Sequence, residues 1–316
     1  MSIPFVTLAD PHYGEVVQVA PLIRRVVANN PSKFTYHGTG TYIVGEGDVA
    51  VVDPGPALDS HRDALTAALT GSRVTAILVT HCHNDHSPLA AWLREFTGAP
   101  TLAFGPHRVD PNWVDDAPPE EPDDADAADG AAKVEEALDL AFDPDVRVAD
   151  GEVAAAGEGW TLRALHTPGH TSNHLCFWMD EQRALFSGDH IMGWSTTVIA
   201  PPDGDMRDYF ASLQRVRMLD PAVLWPTHGA PVTEVRPFVD AFVQHRLERE
   251  AAVLAAVREG VALVPDIVAR LYVSVDQKLH RAAGRSVLAH LIKLLADGLV
   301  SCDGTQPGVT TPYRPI

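Results

Sequence analysis

Val74-Thr75-Ala76-Ile77-Leu78-Val79-Thr80 runs directly into His81-Cys82-His83-Asn84-Asp85-His86. The first stretch is an apolar, β-branched run of strand length. The second places four metal-ligating side chains within six residues, where a strand gives way to a loop. Imidazole and carboxylate ligands suit zinc and neighbouring first-row metals, and without paired thiolates the pattern reads as a catalytic site rather than a closed structural one. In an extended backbone His81 and His83 can converge on one ion, while Asp85 and His86, beyond a turn at Asn84, point to another. Cys82 faces the opposite way and reads as a buried, inert thiol. Packing gives no reason to gather so many ligands, so the cluster is read as functional.

Two ions need ligands from elsewhere in the chain. Three short Gly-containing stretches offer them: Thr167-Pro168-Gly169-His170-Thr171, Ser187-Gly188-Asp189-His190 and Pro226-Thr227-His228-Gly229. Each adjoins an apolar run, Trp160 to Leu165, Ala184 to Phe186 or Val223 to Trp225. Loops at strand ends are where sheet proteins assemble sites from distant positions.

H-x-H-x-D-H followed in order by a lone His, an Asp and a His resembles the metallo-β-lactamase-fold hydrolase superfamily, and Val51-Val52-Asp53-Pro54-Gly55 fits it as well. The resemblance implies that His81, His83 and His170 bind a first metal and that Asp85, His86 and His228 bind a second, with Asp189 bridging them. Asp53 would stand behind the site, orienting a ligand imidazole. The implied cofactor is a pair of divalent ions, with zinc as the default and iron or manganese left open by the ligands. Their coordination would lower the pKa of water and supply hydroxide, and Asp85 would double as the catalytic residue that steers it. Exported β-lactamases of this fold generally carry Cys or Ser where this chain has Asp189, whereas hydrolases of thioesters, lactones and phosphodiesters carry Asp. The expected activity is therefore hydrolysis of a small acyl substrate, a thioester, lactone or related ester. An endoribonuclease or phosphodiesterase is the alternative, and β-lactam hydrolysis comes last. No general acid is evident, though Tyr36, His37 and His190 are candidates. His174 and His190 are read as structural before functional.

The element pattern predicts an α+β protein built as an αββα sandwich. Val16 to Val27, Thr41 to Val44, Val49 to Val52, Val74 to Thr80 and Thr101 to Phe104 read as strands, with helices over Asp59 to Leu69 and Pro88 to Phe96. A second strand-rich half spans Val146 to Trp225, interrupted by a helix over Met206 to Met218. The catalytic domain is expected over residues 1–235, with an acidic insert at 115–136. Residues 236–316 form a helical, winged-helix-like domain, from helices over Pro237 to Val257, Val264 to Leu271 and Arg285 to Ala296. Ile267 to Val273 and Ser286 to Leu294, together with Met192 to Ile199 and Pro201 to Met206, are similar to the beta-lactamase-like protein 2 group, which carries such a domain.

Some members of that group are endoribonucleases, so RNA enters as a candidate partner. Charge speaks against it. The chain carries a formal net charge of −18, and from residue 264 onward six cations face four carboxylates, far short of a basic stripe. Residues 115–136 hold ten acidic side chains against one Lys, and such a stretch is expected to be solvated. Three cysteines form no disulfide framework. With no basic leader before an apolar stretch and no bilayer-length apolar run, a cytoplasmic enzyme without membrane contact is expected. Oligomeric state is left open.

Overall fold

The computed structural model describes residues 3–107, 111–117 and 137–316. The first sheet follows chain order, β1 (Val17–Ala20), β2 (Ile23–Val27), β3 (Gly40–Val44), β4 (Asp48–Val52), β5 (Arg73–Leu78), β6 (Thr101–Ala103) and β7 (Val146–Arg147). β4, β5 and β6 are parallel neighbours. Their crossovers are α1 (Asp59–Ala68) and α2 (Leu89–Thr97). The segment expected as one strand from Val16 to Val27 is instead a hairpin. It turns at Pro21-Leu22, where Leu22 takes the left-handed conformation with φ 63°, so Pro21 was the signal for a break.

The second sheet has the order β12-β11-β10-β9-β8, from β8 (Val153–Gly157), β9 (Trp160–His166), β10 (Leu175–Met179), β11 (Ala184–Gly188) and β12 (Val223–Pro226). β11 and β12 are parallel, joined through α3 (Met206–Leu219). Tyr42, Trp160, Phe177, Phe186 and Trp225 fill the space between the sheets. α1 and α2 cover the outer face of the first sheet with Leu65 and Leu93 against Val51 and Ile77. A strand covered on both faces is apolar on both, which is why β3 to β5 end in apolar runs, Tyr42-Ile43-Val44, Val49-Ala50-Val51-Val52 and Ala76-Ile77-Leu78. Ile77 is fully buried there, and truncation to Ala would cost about 2–5 kcal/mol.

α4 (Val235–Arg258) starts over the second sheet, packing Phe238 and Phe242 beside Tyr209 and Leu213 of α3. It then runs unbroken into a separate C-terminal core, where Val253, Ala256 and Val257 meet α5 (Val264–Leu271), α6 (His280–Ala296) and a hairpin of β13 (Val300–Cys302) and β14 (Tyr313–Pro315). α6 begins earlier than its expected start at Arg285.

The acidic insert falls mostly outside the described residues, but its first part is not simply solvated. Asp115 pairs with Arg285 of α6, and Asp116 accepts hydrogen bonds from the backbone of Val309 and Thr310, both at 2.7 Å. These carboxylates anchor the segment to the C-terminal unit, Asp115 through the Arg285 guanidinium and Asp116 by taking up two main-chain donors. Among the described residues no helix is long and apolar enough to cross a membrane.

Candidate metal centre

Parallel strands end at the same edge of a sheet, so Asp53 after β4 and His81 after β5 emerge side by side. Likewise Asp189 after β11 and His228 after β12 emerge together from the second sheet. Hydrogen bonds across the sandwich bring the two edges together, Leu175 N to Thr80 O at 2.8 Å and Gly40 N to Thr227 O at 2.8 Å. Glycines permit the tight approach. A Cβ on Gly169 would stand 2.4 Å from Tyr209 Cα. Gly188 has φ 51°, and a Cβ there would lie 2.6 Å from His174 Nε2.

All seven side chains singled out as ligands meet at this edge. They fall into three groups whose ligand atoms lie within 4.8 Å of one another: His81, His83 and His170; His81, His86 and Asp189; Asp85, His86 and His228. His81 Nε2 is 2.8 Å from His83 Nδ1, which is 3.2 Å from His170 Nε2. On the other side His228 Nε2 lies 3.1 Å from Asp85 Oδ2, and His86 Nε2 lies 3.3 Å from the same oxygen. Asp189 faces both sides: Oδ1 is 3.4 Å from His228 Nε2 and 3.6 Å from His86 Nε2, and Oδ2 is 4.0 Å from His170 Nε2.

The imidazoles are oriented from behind. His170 Nδ1 donates to the Val198 carbonyl at 2.7 Å and His228 Nδ1 to the Gly38 carbonyl at 3.2 Å. A carbonyl only accepts, so Nδ1 carries a proton, and in the neutral ring Nε2 is the nitrogen whose lone pair faces the centre. Asp53, fully buried, accepts from His86 Nδ1 at 2.9 Å, Thr80 N at 2.8 Å, Thr80 Oγ1 at 2.9 Å and Thr227 Oγ1 at 3.0 Å. The same Thr80 hydroxyl lies 3.0 Å from His81 Nδ1, so one carboxylate steadies two rings. Thr39 Oγ1 donates to Asp85 Oδ2 at 3.0 Å. Thr39, Thr80 and Thr227 were not anticipated. Thr80 and Thr227 each precede a ligand in sequence, whereas nothing near Thr39 signals its role.

Electrostatics and hydrogen bonding fit a bound cation. His86 Nε2 and Asp189 Oδ1 are buried without a hydrogen-bond partner, a cost the fold bears only where something else meets those atoms. Burial pushes His81 well below the usual imidazole range, with the neighbouring His86, His83 and His170 adding to the effect. Burial takes His83 down to about 3. For His228 burial also lowers, but Asp189 and Asp85 outweigh it and the pKa rises to about 10. His86 is raised in the same way. The two carboxylates thus demand positive charge, met by protons in the absence of metal, and divalent ions could satisfy the same demand.

Of the other residues singled out, His174 is buried, with Nδ1 2.9 Å from Thr167 Oγ1 and Nε2 accepting from Asp189 N at 3.2 Å. His190 is fully enclosed, its ring 5.0 Å from that of Tyr209. Tyr36 stacks on Trp194 at 4.9 Å, with the His37 ring 3.9 Å away. Cys82 is buried and its thiol is pushed up to about 11 by burial.

The model of the Metallo-beta-lactamase superfamily matches residues 36–228, a span that contains every candidate ligand described above. The chain belongs to the metallo-β-lactamase superfamily. Residues 264–307 match the Beta-lactamase associated winged helix domain, so this superfamily member carries its sandwich and winged helix on one chain. It is 30% identical over 295 residues to a beta-lactamase-like protein 2 homolog of Caenorhabditis elegans, covering 92% of this chain and 89% of that protein. It is also 30% identical to an atrochrysone carboxyl ACP thioesterase of Claviceps purpurea, covering 83% of this chain and 76% of the relative. The fold is shared with a beta-lactamase domain protein from Burkholderia ambifaria, TM-score 0.75 at 21% identity over 98% of this chain and 95% of the other. A metallo-beta-lactamase family protein from Thermus thermophilus gives 0.71 at 23% identity, covering 95% of this chain and 100% of the other.

Proposed function

We propose that this chain is a dinuclear metallohydrolase of small acyl substrates, thioesters first and lactones or related esters next, with zinc as the default metal. The observation that carries the dinuclear reading is the Asp189 carboxylate, whose two oxygens face different ligand groups. His81, His83 and His170 would hold one ion, Asp85, His86 and His228 the other, with Asp189 between them. When bound, such ions supply Lewis acidity toward the acyl oxygen and make water acidic enough to ionise near neutral pH. Asp85, oriented by Thr39 through Oδ2, takes the proton of the attacking water as its oxygen bonds to the acyl carbon. The carbon–sulfur bond of a thioester then breaks, and the thiolate leaves with the electron pair.

Two features favour the acyl reading over RNA. The relative from Claviceps purpurea is named a thioesterase. Cations of the C-terminal segment are also paired with carboxylates of this chain: Arg285 with Asp115, Arg270 with Glu259, Arg314 with Asp303, and Lys293 with Glu250 and Asp297. With six cations against four carboxylates from residue 264 onward, little net positive charge is left to attract phosphate. The test is a panel of acyl thioesters, lactones, β-lactams and single-stranded RNA on zinc-loaded protein, alongside metal analysis. About two ions per chain with thioester or lactone turnover is expected. At most one ion after zinc addition would overturn the dinuclear reading, and turnover confined to RNA or β-lactams would overturn the substrate reading.

A further inference from the structure

Arg246 of α4 is 3% exposed and has no carboxylate at ion-pair distance among the described residues. One guanidinium nitrogen, Nη2, donates to the Thr197 carbonyl, and the group lies 5.2 Å from the centre of the Tyr209 ring. Removing a guanidinium from water is costly. A position that needed only packing would be filled by Leu or Met without that cost, so its contacts are the place to look for a reason.

Those contacts lead to the metal centre. Thr197 Oγ1 donates to the carbonyl of Asp189 at 2.7 Å and approaches that of His190 at 3.0 Å. Tyr209 Oη donates to the same His190 carbonyl at 2.9 Å. The next residue, Val198, accepts the Nδ1 proton of His170. The short strap Thr197-Val198 therefore touches two of the seven ligand residues. It holds the backbone of Asp189 and the ring of His170, and Arg246 holds the strap.

We propose that Arg246 is a positioning residue for the metal centre, fixing the Thr197-Val198 strap so that Asp189 and His170 face the ions. It acts from α4, the helix shared with the C-terminal core. The inference rests on the ligand assignment above, and second-layer groups of this kind commonly govern metal affinity by about 10- to 100-fold.

The test compares Arg246→Met, which keeps the volume and removes the donors, with Arg246→Lys, which keeps a cation and a donor. Zinc affinity is read by competition with a chromophoric chelator, and ligand geometry by the visible spectrum of the cobalt(II)-loaded protein. Zinc binding is expected to weaken at least tenfold in the Met variant with an altered cobalt spectrum, and to recover in part in the Lys variant. Parent-like zinc binding in the Met variant, or a Lys variant no better than Met, would overturn the proposal. Should either variant fail to fold, Thr197→Val and Thr197→Ser decide it. The Val variant is expected to lose affinity and the Ser variant to keep it, and equal affinities would refute the strap. If the parent itself binds no zinc, the ligand assignment falls; if the parent binds two ions and all variants match it, only the role of Arg246 does.

Discussion

Asp53→Asn is a nearly isosteric change with a sharp expected outcome. Thr80 N can only donate, and it donates to Asp53 Oδ1. In the variant the amide oxygen must therefore stay at that position, which forces the amide nitrogen to the place of Oδ2. There it meets Thr80 Oγ1, Thr227 Oγ1 and His86 Nδ1. The hydroxyls can rotate to accept from it. His86 cannot, unless it moves its proton from Nδ1 to Nε2, and Nε2 is the atom that faces Asp85 and Asp189. A protonated Nε2 no longer offers a lone pair, so one proposed ligand of the Asp85, His86 and His228 group is lost. Loss of second-layer support is expected to weaken zinc at that position about 100-fold, or about 2.7 kcal/mol, with the other position less affected. Chelator competition and metal stoichiometry measure both. A variant that binds two zinc ions within threefold of the parent's affinities would show that the tautomer of His86 is not set by Asp53.

Asp189→Ala should lower turnover by about 100-fold or more, and further than His190→Ala, because the carboxylate faces both ligand groups while the His190 ring is enclosed. Equal losses at unchanged metal content would point to His190 instead. Reversing Arg281 and Arg285 to Glu should leave RNA binding weak and its salt response flat, measured by fluorescence titration at two salt levels. A tight parent complex losing roughly 1,000-fold over that range, and lost in the variant, would identify an RNA clamp. Burial depresses His61 from 6.5 to about 4, so its contribution to stability is complete above pH 6.5 and is lost as pH falls towards 4. That is about 3 kcal/mol at most. Urea melts of the metal-free protein at pH 7.5 and 4.5 should show a smaller acid loss in His61→Gln than in the parent, and equal losses would refute the assignment.

The candidate ligands were legible as a cluster because metal chemistry restricts the residue types and strand ends restrict their positions; H-x-H-x-D-H needs no tertiary knowledge to be noticed. The residues that orient those candidate ligands were less so. Asp53 could be named only through the resemblance of Val51-Val52-Asp53-Pro54-Gly55 to the superfamily, and Thr39, Thr197 and Arg246 act through contacts made across the fold, where a threonine or arginine in isolation has many uses. Strands buried on both faces were plain from short apolar runs such as Val49 to Val52 and Ala76 to Leu78. The hairpin at Leu22 was not, because the Val16 to Val27 run carries β-branched residues on both sides of Pro21 and propensity joins what the turn divides. The engagement of Asp115 and Asp116 with the winged helix was equally hidden, since composition describes a charge run without its neighbours.

Because α4 contributes Phe238 and Phe242 to one core and Val253 and Val257 to another without a break, the winged helix is not a detachable appendage. A truncation before α4 would strip the second sheet of part of its cover, and one inside it would fray the very turn that carries Arg246. The two cores should then melt as one cooperative unit, with amide hydrogens along the middle of α4 exchanging at the slow, global rate rather than by separate opening of either half.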